Sequence, residues 1–144
     1  MKTGIAADHA GYQLKMFLIE LLRKNGTTIV DFGTNSTESV DYADFAHPLA
    51  LAVENGDVDC GIAICGSGNG INMTLNKHQK IRAALCWNEG IAVLARKHND
   101  ANICSLPARF ISATEAAGIV EKFLSTAFEG GRHQKRIDKI PCKI

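Results

Sequence analysis

The run Cys60-Gly61-Ile62-Ala63-Ile64-Cys65 has no charged or strongly polar side chain on either of its alternating faces, and this limits what the chain can fold into. Six residues are too few for a buried helix, while a strand that is apolar on both sides needs cover on both sides. A parallel sheet layered between helices supplies that cover. Further runs at 3–7, 27–32, 82–86 and 102–106 read as four more strands. Between them the hydrophobic period lengthens to that of helices. Leu14, Phe17, Leu18, Leu21 and Leu22 mark one buried helical face, and Asn25-Gly26 supplies a stop. A second helix is expected from about Tyr42 to Glu54, and a third over 113–127 with Ala116, Ile119, Val120, Phe123 and Leu124 inward. Ser112 with Glu115 has the spacing of a capping box at its start.

Five alternations of strand and helix predict an α/β fold. The expected form is a three-layer α/β/α sandwich, Rossmann-like, with a five-stranded, mostly parallel sheet. The basic segment from Gly130 onward is expected to add a short C-terminal helical tail. At 144 residues the chain is expected to form one domain over 1–144. A formal charge of +1 argues against a nucleic-acid partner. There is no membrane-length apolar run and no signal-like start, so the expected location is the cytoplasm. The five cysteines, an odd number in no spaced framework, are expected to be reduced thiols.

The chemistry gathers after the strands. Cys65-Gly66-Ser67-Gly68-Asn69-Gly70 joins the third strand to a helix, and such a turn aims several backbone N–H groups at one small volume. That suits a phosphate or a developing oxyanion, and it favours a thiolate at Cys65, placed on the rim as nucleophile or carbon-acid base. A small buried cysteine at a strand end is the plain alternative. The spacing is G-x-G-x-G, with Ile71 where a dinucleotide fingerprint has its third glycine, and it follows the third strand rather than the first. Glu89, about twenty residues on, keeps the dinucleotide alternative open.

Asp8-His9-Ala10-Gly11 follows the first strand and so emerges at the same carboxyl edge as the cysteine turn. His98-Asn99-Asp100 instead precedes the fifth strand, which puts it at the amino edge, roughly 17 Å away. Arg132 and Arg136, spaced i, i+4 after the last long helix, belong to that edge as well and suit a phosphate. For all four groups to share one site, a second subunit must bring its amino edge to the first subunit's carboxyl edge. The expected assembly is therefore a homodimer with two composite sites, or a tetramer of two such dimers. No C-x-x-C, H-x-x-x-H or H-E-x-x-H spacing occurs, so no metal is expected. His47 and His78 have no evident partner in the sequence and are assigned to structure or surface.

Taken in order, Asp8-His9-Ala10-Gly11, Asp31-Phe32-Gly33-Thr34, Asp41-Tyr42, Cys65 to Gly70, Asn76-Lys77, Ile81-Arg82-Ala83, His98 to Asn102 and Glu129 to His133 resemble the type B ribose-5-phosphate isomerase family, which includes galactose-6-phosphate isomerase subunits. The resemblance spans nearly the whole chain. It implies an aldose-ketose isomerase of the non-oxidative pentose phosphate route, acting on ribose 5-phosphate and ribulose 5-phosphate without metal or organic cofactor. Cys65 would carry a proton between C1 and C2. The amides of Gly66, Ser67, Gly68, Asn69 and Gly70, with the Ser67 hydroxyl, would hold the enediolate charge. His98 of a neighbouring subunit would open the sugar ring. Asp8, His9 and Asn99 would contact hydroxyls or phosphate, and Arg109, Arg132 and Arg136 would complete the anion site. Ser67 stands where the family often has threonine, keeping the hydroxyl, and Ala43 where it often has proline, loosening a loop beside the sugar. Six-carbon sugar phosphates remain an alternative substrate. A sugar-phosphate or nucleotide binding module without catalysis is the alternative of another class.

Overall fold

The computed structural model describes residues 1–143. In chain order the elements are β1 Lys2–Ala7, a 3-10 turn His9–Gly11, α1 Tyr12–Lys24, β2 Thr28–Asp31, α2 Tyr42–Glu54, β3 Cys60–Cys65, α3 Asn69–Leu75, β4 Ala83–Leu85, α4 Glu89–Asn99, β5 Ile103–Pro107, α5 Ala113–Ser125 and α6 Arg132–Ile137. The strands pair in the order β2-β1-β3-β5-β4, and every pairing is parallel. The expected architecture is thus present, with a wholly parallel sheet and a short last helix.

Each central strand divides its side chains between two cores. Ile62 and Ile64 of β3 join Ile5, Ala7, Leu18, Leu22, Cys104, Leu106, Ile119 and Phe123 on the face covered by α1, α4 and α5. Ala63 and Cys65 join Ala6, Leu49, Ile71, Leu75 and Ile103 on the face covered by α2 and α3. This strict alternation is why the run tolerates no polar residue. Ser112 caps α5 as expected: its side chain accepts from the Glu115 amide, and Glu115 accepts from the Ser112 amide. These hydrogen bonds to the carboxylate hold Glu115 below the usual range of its pKa.

The buried face of α1 departs from the expected one. Lys15, Leu18, Ile19 and Leu22 point inward, while Phe17 is exposed and Leu14 and Leu21 lie at the border. Lys15 causes the rotation. Its ammonium is fully buried, 2.7 and 2.8 Å from the two Asp31 oxygens and 5.5 Å from the centre of the Tyr12 ring. Asp31 also accepts from the Gly33 amide at 2.9 Å, so the pair ties α1 to the loop leaving β2. Removing one partner of a buried pair leaves the other charge uncompensated. Lys15→Met is therefore expected to lower stability to urea by about 2–3 kcal/mol. The double variant Lys15→Met/Asp31→Asn should recover part of the loss; simple additivity would show that the two side chains act independently.

The chain order changes direction between β1 and β3, since β2 lies on one side of β1 and all later strands on the other. Ligands of open α/β sheets bind outside the carboxyl ends of strands at such a point. Asp8 and Cys65 flank it, and the Asp8 amide donates to the carbonyl of Ile64, the residue before Cys65, at 3.1 Å.

Candidate active site

Cys65 is the last residue of β3, and the alternation of the strand turns its side chain toward α2 and α3. It is 4% exposed, tucked beneath the turn rather than open on its rim as the sequence suggested. The chain then reverses through Gly66, Ser67 and Gly68. Gly68 holds φ +77, in the left-handed region that favours glycine, and a side chain there would run into Leu85. At Gly70 a side chain would collide with the Tyr42 ring, which packs over the start of α3. The Asn69 amide donates to Ser67 Oγ at 3.2 Å. Among the described residues, the amides of Gly66, Ser67 and Gly68 donate no hydrogen bond, which leaves them free for a ligand.

A second strand end closes the turn. The Ala108 and Arg109 amides, just after β5, donate to the carbonyls of Cys65 and Gly66 at 2.9 and 3.0 Å. This staple lays the Arg109 side chain over Gly66, where its Nη1 would stand 3.2 Å from an added Cβ. Arg109 thus lies beside the Cys65 turn of its own chain. On the other side of the turn, Asp8 Oδ1 accepts from the Ala10 and Gly11 amides at 2.9 and 3.2 Å, capping the 3-10 turn. His9 Nδ1 lies against the Val40 backbone, 3.1 Å from its amide and 3.2 Å from its carbonyl. One edge of the sheet therefore collects a thiol, three free amides, a guanidinium, a carboxylate and an imidazole.

His98 and Asn99 close α4 at the opposite edge. β5 starts beside them at Ile103 and ends at Pro107, the register partner of Cys65, so about 15 Å of strand separates the two edges. Arg132 and Arg136 lie on α6 at that same far edge. His133 of α6 stacks on His98, with ring centroids 4.4 Å apart and planes 17° from parallel. Burial, followed by the neighbouring Arg132 and His98 charges, holds the His133 pKa below the usual histidine range. Within one chain, then, the sequence-derived residues form two groups that do not meet.

Three arrangements escaped the sequence. Tyr42 forms a wall over Gly70 from α2, a contact that only the fold creates. His47 Nδ1 and His78 Nε2 lie 2.7 Å apart, and His78 Nδ1 lies 3.3 Å from Glu54, so these histidines do have partners. Their separation of 31 residues left no local spacing to read. His98, Glu129 and His133 place one ligand atom each within 4.8 Å of one another and so have the donors to hold a metal ion, in an arrangement that the usual metal-ligand spacings do not mark. Only the i, i+4 step from Glu129 to His133 offered a local hint. Among the described residues, no helix is long and apolar enough to cross a membrane.

Comparison with known proteins agrees with this geometry. A family model described as Ribose/Galactose Isomerase matches residues 3–140. Ribose-5-phosphate isomerase B of Escherichia coli is 41% identical over 139 residues, covering 96% of this chain and 93% of that one. The solved structure of Clostridium thermocellum ribose-5-phosphate isomerase B superposes with a TM-score of 0.96 at 48% identity, over 97% of this chain and 95% of the other. The Mycoplasma genitalium ribose-5-phosphate isomerase B structure, solved with bound ribulose-5-phosphate, superposes with a TM-score of 0.92 at 45% identity, over 96% and 93% of the two chains.

Proposed function

The chain belongs to the ribose/galactose isomerase family, and from that premise we propose that it interconverts D-ribose 5-phosphate and D-ribulose 5-phosphate through an enediolate. The observation that carries this reading is the carboxyl-edge cluster at the switch point, where Cys65 lies under unpaired amides with Arg109 laid across them. A hydrogen next to a carbonyl is acidic enough for a modest base only when charge on the carbonyl oxygen is stabilised. One such donor is typically worth about 3 kcal/mol.

In the aldose-to-ketose direction, the Cys65 thiolate takes the C2 hydrogen as a proton. The C–H electron pair forms a C1=C2 bond, and charge collects on O1 against the Gly66 to Gly70 turn. Cys65 then returns the proton to C1, while O1 gains a proton and the C2 hydroxyl loses its own, with the Ser67 hydroxyl close to both. Asp8 and His9 hold sugar hydroxyls. His98 of a second copy opens the ring by taking the C1 hydroxyl proton and protonating the ring oxygen, and Asn99 contacts the sugar beside it. Arg132 and Arg136 of that copy, with Arg109, hold the phosphate, so that binding far from the reacting carbon positions it. The enzyme works as a homodimer in the cytoplasm; the roughly 15 Å between edges supports the partner's role, since one chain cannot complete the site.

Incubating the purified chain and a chelator with a panel of pentose and hexose phosphates, followed by NMR of the aldose-to-ketose ratio, is expected to show conversion of ribose 5-phosphate. Conversion of hexose 6-phosphates alone would move the assignment to the six-carbon branch of the family. No conversion of any member would reject the isomerase reading.

A further inference from the structure

The amino edge holds side chains that the reaction above uses only in part. His98 closes α4, Glu129 lies in the loop before α6, and His133 lies in α6. Their ligand atoms fall within 4.8 Å of one another. Local backbone features build the group. The Glu129 amide donates to the Lys97 carbonyl at 3.1 Å, fixing the loop to the end of α4. Gly130 and Gly131, at φ +73 and +60, then turn the chain so that Glu129 Oε1 stands 3.8 Å from His133 Nε2. That distance is too long for a hydrogen bond.

An independent observation points to a ligand. The His133 side chain is only 7% exposed, yet its buried Nε2 has no hydrogen-bond partner among the described residues. Folded proteins rarely leave a buried polar atom unpaired. Here the orphan nitrogen faces a carboxylate that stops short of it.

We infer that His98, Glu129 and His133 form a binding site for a divalent transition-metal ion, Zn2+ by its donor chemistry, and that the bound ion silences the enzyme by occupying His98. Two imidazole nitrogens and one carboxylate are a set that zinc accepts with a fourth position left for water, whereas magnesium and calcium favour all-oxygen shells. Binding requires closure. Stacked rings point their lone pairs side by side, so the partly exposed His98 ring rotates toward the ion while the exposed Glu129 carboxylate swings in. Arg132 opposes the ion, but its contact with Glu129 is 4.0 Å long and its side chain 68% exposed, so it moves aside readily. His133, deepest of the three, stays in place as the anchor.

The binding half stands on these contacts alone; the silencing half rests on the isomerase reading. Purified full-length chain stripped with a chelator is titrated with zinc chloride by calorimetry and assayed with ribose 5-phosphate. Wild type is expected to take up one ion per chain at this site and to lose turnover reversibly. Glu129→Gln and His98→Asn, both at side chains open to solvent, are expected to weaken binding by about tenfold or more. Glu129→Gln should also keep near-normal zinc-free turnover while losing zinc inhibition. Equal binding by wild type and both variants, or loss of binding only in His47→Asn, overturns the site. Inhibition that persists in Glu129→Gln places the ion elsewhere, as on the Cys65 sulfur, and overturns the silencing. Zinc uptake as expected in a chain without isomerase turnover leaves the site standing and rejects the isomerase reading alone.

Discussion

Cys65→Ala is expected to lower kcat by roughly 10^3-fold, the range for removal of a positioned proton-transfer group, while KM changes little. The asymmetry follows from where the thiol lies. It is 4% exposed at the end of β3, and the turn beyond it is held by bonds to the Cys65 and Gly66 carbonyls, which alanine preserves. Substrate should therefore still bind, as a fluorescence or calorimetric titration would show. In D2O, exchange at C2 of ribose 5-phosphate should collapse together with turnover, because both need the same proton removal. Turnover within about tenfold of wild type would show that Cys65 packs against Ile71 and Leu75 without taking part in chemistry. Loss of turnover with exchange at C2 retained would assign the thiol to a later step than proton abstraction.

The layered fold was readable because its central strands carry a pattern with one solution. Apolar residues on both faces of 60–65 demand two covering layers, and the structure supplies α1, α4 and α5 on one side and α2 and α3 on the other. The carboxyl-edge group was readable for a related reason. A parallel topology sends the end of every strand to the same edge, so Asp8-His9 and Cys65 to Gly70 had to meet. Other features lay beyond local pattern. The rotation of α1 depends on Lys15 reaching Asp31, sixteen residues away, and a helical period counts a lysine as polar whatever it pairs with. Arg109 over Gly66 depends on two backbone bonds between loops about 40 residues apart in the chain. The partners of His47 and His133 likewise come from other elements, which is why spacing rules passed over them.

The second large effect concerns which chain supplies which group. Arg136→Ala alone is expected to raise KM by about 10- to 100-fold, as fits the loss of a charged phosphate contact. Its consequence in mixtures separates a composite site from one made within a single chain. Two differently tagged chains, one carrying Cys65→Ala and the other Arg136→Ala, are co-expressed, and the doubly tagged dimer is assayed far below KM. In a composite arrangement, the first site joins the intact Cys65 of one chain to the intact Arg136 of the other, while the second site lacks both. About half of wild-type activity is then expected from two defective chains. Placing both substitutions on one chain beside a wild-type partner reverses the outcome, because each composite site then contains one damaged group, and activity should fall to a few per cent or less. A site built within one chain predicts the opposite ranking, with the second dimer half active and the first nearly inactive. The ranking is independent of how large either single effect is. It depends only on β5 separating the His98 and Arg136 edge from the Cys65 edge, so the order of these two activities is a direct reading of that separation.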